Sequence, residues 1–219
     1  MTRSVKVSIV LIAVFAVALA SFVFWSSNNS DAAAAAEDAA GDPAAVAVRE
    51  NSHRLSDPPE SRATFVEFLD FECEACRAAY PAVEQLRETY GDTVTFVVRY
   101  FPIPSHANAE RAARAVEAAA QQGRFEAMYQ RMYETQAQWG EQQAPMDNLF
   151  REFAAGLGLD MTAFDAAYDD PATLERIRAD VADGQALGVQ GTPTFFVDGV
   201  RVEATDISDL TDALDAALR

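Results

Sequence analysis

The sequence predicts an α/β protein whose mixed sheet is interrupted by a helical block. Three observations carry this. A strand–helix–strand unit occupies residues 63–100, an almost continuously helical stretch follows, and a hairpin with one last helix ends the chain. A long apolar run near the N-terminus stands apart from these layers.

That run, residues 7–25, holds nineteen residues without a charge, enough at about 1.5 Å per residue to span a hydrocarbon core of roughly 30 Å. Arg3 and Lys6 precede it, and Asp31, Glu37, Asp38 and Asp42 follow before the next base, Arg49. Basic before and acidic after predicts a signal-anchor, cytoplasmic at its start, with the remainder outside the cell membrane. A cleaved signal peptide is the rival reading, because Ala18-Leu19-Ala20 has the small-x-small form of a cleavage site. Against it, the apolar run continues past that site to Trp25. Either reading exports the rest, as a tethered or a secreted domain. Residues 26–45 are small, polar and acidic with no aromatic, which predicts a disordered linker.

The expected domain covers 46–219. Residues 45–49 alternate and read as a short edge strand. Residues 63–69, Ala-Thr-Phe-Val-Glu-Phe-Leu, are apolar on both faces except Glu67, the pattern of a strand covered on both sides. A helix is expected over 73–90, stopped by Gly91-Asp92, and a second buried strand over 93–100. This is a βαβ unit, whose crossover should be right-handed. Helical periods cover 108–122, 125–138, 146–157, 161–168 and 172–187, so an insertion of about 105–187 separates the two halves. Strands return at 194–197 and 200–203 around Asp198-Gly199, a strong hairpin signal, and a helix over 207–218 closes the chain.

Charge narrows the function. Thirty-four acidic against seventeen basic side chains, a net charge of −17, exclude a phosphate-binding surface, so nucleic acid is not an expected partner. Sixteen arginines against the single Lys6, with many alanines, hint at a GC-rich bacterial genome. Two cysteines are too few for a disulfide framework or a four-thiolate zinc site, and His53 and His106 lie in unrelated segments. No metal or cofactor is expected.

The cysteines need a local explanation. Cys73-Glu74-Ala75-Cys76 falls where a buried strand turns into a helix. The unpaired N–H groups and the dipole of a helix N-terminus favour a thiolate there. A disulfide between residues one turn apart closes a small ring that constrains little chain, so its value lies in opening and closing. An inert disulfide and half a metal site are the structural alternatives.

The stretch Glu67-Phe68-Leu69-Asp70-Phe71-Glu72-Cys73-Glu74-Ala75-Cys76 resembles the active-site segment of the thioredoxin superfamily. Three further features match. Glu67, six residues before Cys73, corresponds to the family's buried proton-handling acid. Pro81 corresponds to the proline that kinks its active-site helix, and Thr192-Pro193 to its cis-proline. The helical block, and Arg99-Tyr100-Phe101-Pro102 followed by His106, resemble the DsbA-like branch. The resemblance covers about 46–219 and implies a thioredoxin fold with an inserted helical subdomain.

It also implies a thiol–disulfide oxidoreductase that introduces disulfides into exported proteins. Cys73 would form the mixed disulfide with substrate and Cys76 would resolve it. A membrane redox partner would reoxidise the pair. Burial should raise the pKa of Glu67 and suit it to proton transfer. Pro193 would leave the Thr192 backbone open to pair with an extended substrate segment. His106 reads as a helix-start or packing residue, and Tyr100, Phe101, Phe195 and Phe196 as core. One departure stands out. Strongly oxidising DsbA relatives usually have Pro-His between their cysteines, whereas Glu74-Ala75 here, with Glu72 adjacent, should raise the pKa of Cys73 and lower the potential.

The alternatives are a reductase or isomerase of thioredoxin type, and a non-catalytic peptide-binding chaperone module. Isomerases of this superfamily usually add a dimerisation domain, for which no room is expected. Copper delivery is disfavoured because no Met/His cluster adjoins the cysteines.

Overall fold

The computed structural model describes residues 43–219, which form one compact unit. The expected anchor at 7–25, and the linker up to residue 42, lie outside the described residues.

The chain opens with a short helix, α1 (Pro43–Ala47), and a strand, β1 (His53–Ser56). The first βαβ unit is β2 (Ala63–Leu69), α2 (Glu74–Tyr90) and β3 (Val94–Tyr100). Five helices follow: α3 (Ala109–Ala120), α4 (Phe125–Trp139), α5 (Asp147–Gly156), α6 (Met161–Asp169) and α7 (Pro171–Ala186). A hairpin of β4 (Thr194–Val197) and β5 (Val200–Val202), then α8 (Ile207–Ala217), completes the second half.

The sheet has the order β1-β3-β2-β4-β5. Strands β2 and β3 run parallel, and β1 on β3, β4 on β2 and β5 on β4 are antiparallel. Every residue of β3, and all of β2 except Thr64, is buried, as expected of central strands covered on both faces. One face packs Phe65, Phe96 and Phe195 against Val83 and Leu86 of α2 and Leu210 and Leu214 of α8. The opposite face packs Val66, Phe68, Val97 and Phe196 with Phe101, Ala47 of α1 and Val189. A third cluster joins Leu69, Phe71 and Tyr100 to the helical block through Tyr129, Tyr133 and Met132. Tyr100, Phe101, Phe195 and Phe196 are core residues. In the hairpin, Asp198 and Gly199 both take positive φ, 49° and 78°, the backbone that a two-residue turn between twisted strands requires.

Two local expectations are corrected. Residues 45–49 are not an edge strand, since Pro43–Ala47 is helical, including three residues assigned to the linker. The edge beside β3 is occupied by β1 instead. The reason is Arg99, which is wholly buried in β3 and donates from Nη1 to the carbonyl oxygens of Val46 (3.1 Å) and Ala47 (2.7 Å). It thereby satisfies carbonyls that the end of a short helix leaves unpaired.

The same guanidinium fixes the last helix of the insertion. Its Nε donates to Asp180 Oδ1 at 2.7 Å and its Nη2 to Asp183 Oδ2 at 2.5 Å, both on α7. Asp180 also accepts from the Tyr100 backbone N–H and pairs with Arg176. Gly184 lets α7 approach closely, because a Cβ there would lie 2.8 Å from the Phe101 ring and 3.0 Å from that of Phe68. Removing the cation of a buried pair strands its acids, so Arg99→Met should cost about 3–5 kcal/mol. The urea midpoint checks this, and an unchanged midpoint would refute it.

Candidate active site

The site begins where β2 stops. Asp70 follows the strand, nearly fully buried, and its carboxylate organises the turn into α2. Oδ1 accepts from the Glu72 backbone N–H at 2.8 Å, and Oδ2 from the Ile103 backbone N–H at 2.9 Å. Oδ2 is also 2.6 Å from His106 Nδ1. Burial pushes the Asp70 carboxyl up, against the pull of those donors. Gln136 of α4 secures the turn from the other side, donating from Nε2 to the carbonyl oxygens of Phe71 (2.7 Å) and Cys73 (2.9 Å). The Glu72 side chain turns inward, where Oε2 accepts from the Asn108 backbone N–H at 2.6 Å.

Cys73 is the N-cap of α2, with extended backbone (φ −68°, ψ 121°), and not its first helical residue as expected. Cys76 lies one turn on, and both are free thiols. They differ in exposure, Cys73 being 9% accessible and Cys76 wholly buried. The Cys73 thiol donates to the Thr192 carbonyl oxygen at 3.3 Å, across a chain separation of 119 residues. The Thr192–Pro193 peptide is cis. In the thiol form the Thr192 carbonyl is thus occupied by the sulfur rather than open to a substrate backbone.

The two sulfurs are pushed in opposite directions. Cys73 is lowered to about 5, chiefly by a hydrogen bond from the Cys76 thiol, against the cost of burial. Thr192, whose hydroxyl is buried with no other partner, and the backbone N–H groups of Cys76 and Ala75 add to the same pull. Cys76 is pushed well up by burial, then by its bond to Cys73 and by the charge of Glu67. The net pull at Cys73 is thus downward from an ordinary thiol, although two carboxylates lie nearby. The Glu72 carboxylate is engaged by the Asn108 N–H, Glu74 is exposed, and thiol and backbone donors at the helix end outweigh both.

Glu67 lies in the middle of β2, 2% exposed, with no side-chain hydrogen bond or ion pair among the described residues. Burial raises its pKa to about 8, helped by the charges of Glu84 and Cys73. Pro81 lies inside α2, where its ring nitrogen gives no N–H to the helix ladder.

Two cavities flank the sulfur. One, of about 430 Å³, is lined by Glu72, Cys73, Glu74, His106 and Glu141 among others. The other, of about 300 Å³, runs past Pro193 and is mostly apolar, with Ala79, Ala82, Phe195, Ile207 and Leu210 in its wall. The structure thus brings Cys73, Cys76, Thr192 and Pro193 together, with Glu67 beneath them. It also adds residues that sequence reasoning passed over. His106 is not a helix-start residue, because α3 begins at Ala109 with Asn108 as its N-cap. It is bound to Asp70 at the rim of the cavity. Gln136 left a signal, being a polar residue on the buried face that Tyr129, Met132 and Tyr133 define.

The thioredoxin family model matches residues 57–216. The chain belongs to the thioredoxin family. Among solved structures it is similar to a thioredoxin-like oxidoreductase from Silicibacter pomeroyi DSS-3, with 32% identity and a TM-score of 0.66. That match covers 77% of this chain and 93% of the other. It is also similar in fold to α-DsbA1 of Wolbachia pipientis, at 19% identity and a TM-score of 0.71, covering 81% of this chain and 96% of that one. The fold is thus a thioredoxin fold of DsbA type, with a mixed sheet and an inserted helical block. A curated relative named Na(+)/H(+) antiporter NhaA, from Herminiimonas arsenicoxydans, is 38% identical over 74% of this chain. The chain spans only about a quarter of that relative's length. Among the described residues no helix is long and apolar enough to cross a membrane, and no cluster of three or more His, Cys, Asp or Glu suits a metal.

Two titrations follow. The thiolate absorbance of the reduced protein should rise with a midpoint near pH 5 and vanish in Cys73→Ser, whereas a midpoint near 9 would contradict the site's polarity. Glu67 behaves in the opposite sense. Between pH 4.5 and about 8 the folded state holds a proton that the unfolded state has lost, so stability falls as pH rises through that window. Glu67→Gln should therefore stabilise the reduced protein by on the order of 3 kcal/mol at pH 7, and by almost nothing at pH 4. Denaturation at both pH values checks this, and an equal gain at both would refute it.

Proposed function

We propose that this chain is an extracytoplasmic thiol–disulfide oxidoreductase that donates the Cys73–Cys76 disulfide to exported proteins. One observation carries the reading. A thiolate-forming sulfur caps a helix over a buried thiol that is held neutral, with a peptide carbonyl already against the outer sulfur.

The chemistry balances as two exchanges. A substrate thiolate attacks Cys73 Sγ of the disulfide, the S–S bond breaks, and Cys76 leaves with the electron pair. Cys76 takes a proton because burial disfavours its thiolate, and Glu67 below it is neutral near pH 7 and suited to pass that proton. The second substrate thiol then attacks the substrate sulfur of the mixed disulfide. Its proton goes to water, and Cys73 departs as a thiolate. Two electrons have moved from substrate to enzyme. The apolar cavity beside Pro193 suits an extended, hydrophobic substrate segment.

The run over 7–25 supports an uncleaved anchor with the domain outside the cell membrane, where a membrane redox partner would reoxidise the pair. A Cys73 pKa of about 5 lies between about 3.5 for the strongest oxidant and about 7 for thioredoxin. The potential should accordingly fall between about −120 and about −270 mV.

Equilibration with glutathione, followed by incubation of the oxidised protein with reduced ribonuclease A, tests this. Expected are transfer of one disulfide per molecule, its loss in Cys73→Ala and, with disulfide-scrambled ribonuclease A, accumulation of mixed disulfide in Cys76→Ala, whose lone Cys73 thiolate breaks one substrate disulfide as it forms the mixed one. A potential at the thioredoxin end would favour a reductase. Peptide binding without any cycling would favour a chaperone module.

A further inference from the structure

We propose that His106, pinned by Asp70, is the charge partner of the Cys73 sulfur, supplying from the loop after β3 the positive charge that Glu74 and Ala75 do not carry. The inference rests on Cys73 being the reactive thiol.

Three observations converge on it. First, among the described residues His106 is the only basic side chain lining the cavity that Cys73 opens into. The other ionisable side chains in that wall are Glu72, Cys73, Glu74 and Glu141. Second, the imidazole is held in place. Nδ1 lies 2.6 Å from Asp70 Oδ2, and that carboxylate is itself fixed by two backbone N–H groups. With Nδ1 committed, Nε2 makes no hydrogen bond among the described residues, and the side chain is 32% exposed. Third, the surroundings favour the imidazolium. Asp70 from the end of β2, Glu72 and Cys73 from the turn and Glu74 from α2 face it, as do Glu110 of α3 and Glu141 after α4. Among the described residues, Arg178 of α7 lines a second cavity with His106, and Arg77 of α2 lines a third with Glu74 and Glu141. Partial burial pulls the imidazole down, but Asp70, Glu72 and Cys73 raise it on balance. Asp70 acts through His106 and is a positioning residue.

The step affected is the departure of Cys73 from the mixed disulfide, when its sulfur takes the electron pair and becomes a thiolate. An imidazolium across the cavity lowers the energy of that leaving group and of the reduced enzyme. A histidine between the cysteines would act from within the helix turn, whereas here the charge arrives from a loop brought in by the buried Asp70.

The test needs no substrate. In reduced His106→Gln, which keeps a donor for Asp70 but has no charge, the Cys73 thiolate midpoint should rise by about one pH unit, the effect of one nearby charge. The glutathione equilibrium constant should shift about tenfold toward the disulfide of this protein. His106→Lys should restore part of both. If the variants fail to fold, histidine NMR on the wild-type protein serves instead, with His53 as the internal control. The His106 pKa should then be higher in the reduced than in the oxidised protein. An unmoved Cys73 midpoint in folded His106→Gln, or equal His106 values in the two redox states, would overturn the inference and leave the oxidoreductase reading standing. A cysteine pair that never exchanges with glutathione would overturn the oxidoreductase reading, and this inference with it.

Discussion

The site exists only if a chain that leaves the sheet at Tyr100 comes back to it at Thr194 in one register, so that Thr192 meets Cys73. Hydrophobic packing is non-directional and does not specify that register alone. The buried Arg99 cluster does. Its fork takes two acids one helical turn apart on α7 and two carbonyls of α1, which locks the last inserted helix against β3. Gly184 removes the side chain that would hold the two surfaces apart. From the end of α7 only a short segment remains to Pro193, so its path is largely set by where that helix sits.

The polarity of the two sulfurs follows from the same architecture. A strand buried on both faces ends at a helix N-terminus, so the first cysteine finds unpaired N–H groups and the second finds the core. Burial alone would push both thiols up. Directional donors at the helix end win at Cys73, and desolvation wins at Cys76, where only one opposing backbone bond is present. Glu67, beneath the pair, is kept neutral for the same reason that Cys76 is. The outer sulfur is therefore charged near pH 7, whereas Cys76 and Glu67 are held protonated.

Asp70 performs at the rim what Arg99 performs behind the sheet. Both are buried charges whose bonds reach segments distant in sequence, and both serve geometry more than net stability. Asp70 joins the strand end, the turn into α2 and the loop after β3, and so places a histidine more than thirty residues away at the cavity that Cys73 lines. Gln136 reaches the same turn from α4. A chemistry borne by two adjacent cysteines is tuned by residues from three separate parts of the chain.

Much of this was legible in the sequence. The near-continuous apolar runs marked β2, β3 and β4, because strands buried on both faces must be apolar throughout. Asp198-Gly199 marked the hairpin, because few other pairs accept two positive φ values. The lone acid in β2 and the cysteines at a strand–helix junction announced the chemistry, since each breaks its local pattern. What failed was whatever depended on partners far along the chain. Residues 45–49 alternate like a strand, yet 45–47 are helical, with a guanidinium some fifty residues away taking up the last carbonyls. Nor does the sequence say where the carboxylates beside Cys73 point, which is what Coulomb's law depends on; Glu72 Oε2 accepts from the Asn108 N–H. The sequence by itself determined most of the elements and the place of the cysteine pair at a strand–helix junction, because those follow from periodicity and local backbone chemistry. Tertiary structure alone decided the charge around the reactive sulfur, because that depends on distances across the fold which no local pattern encodes.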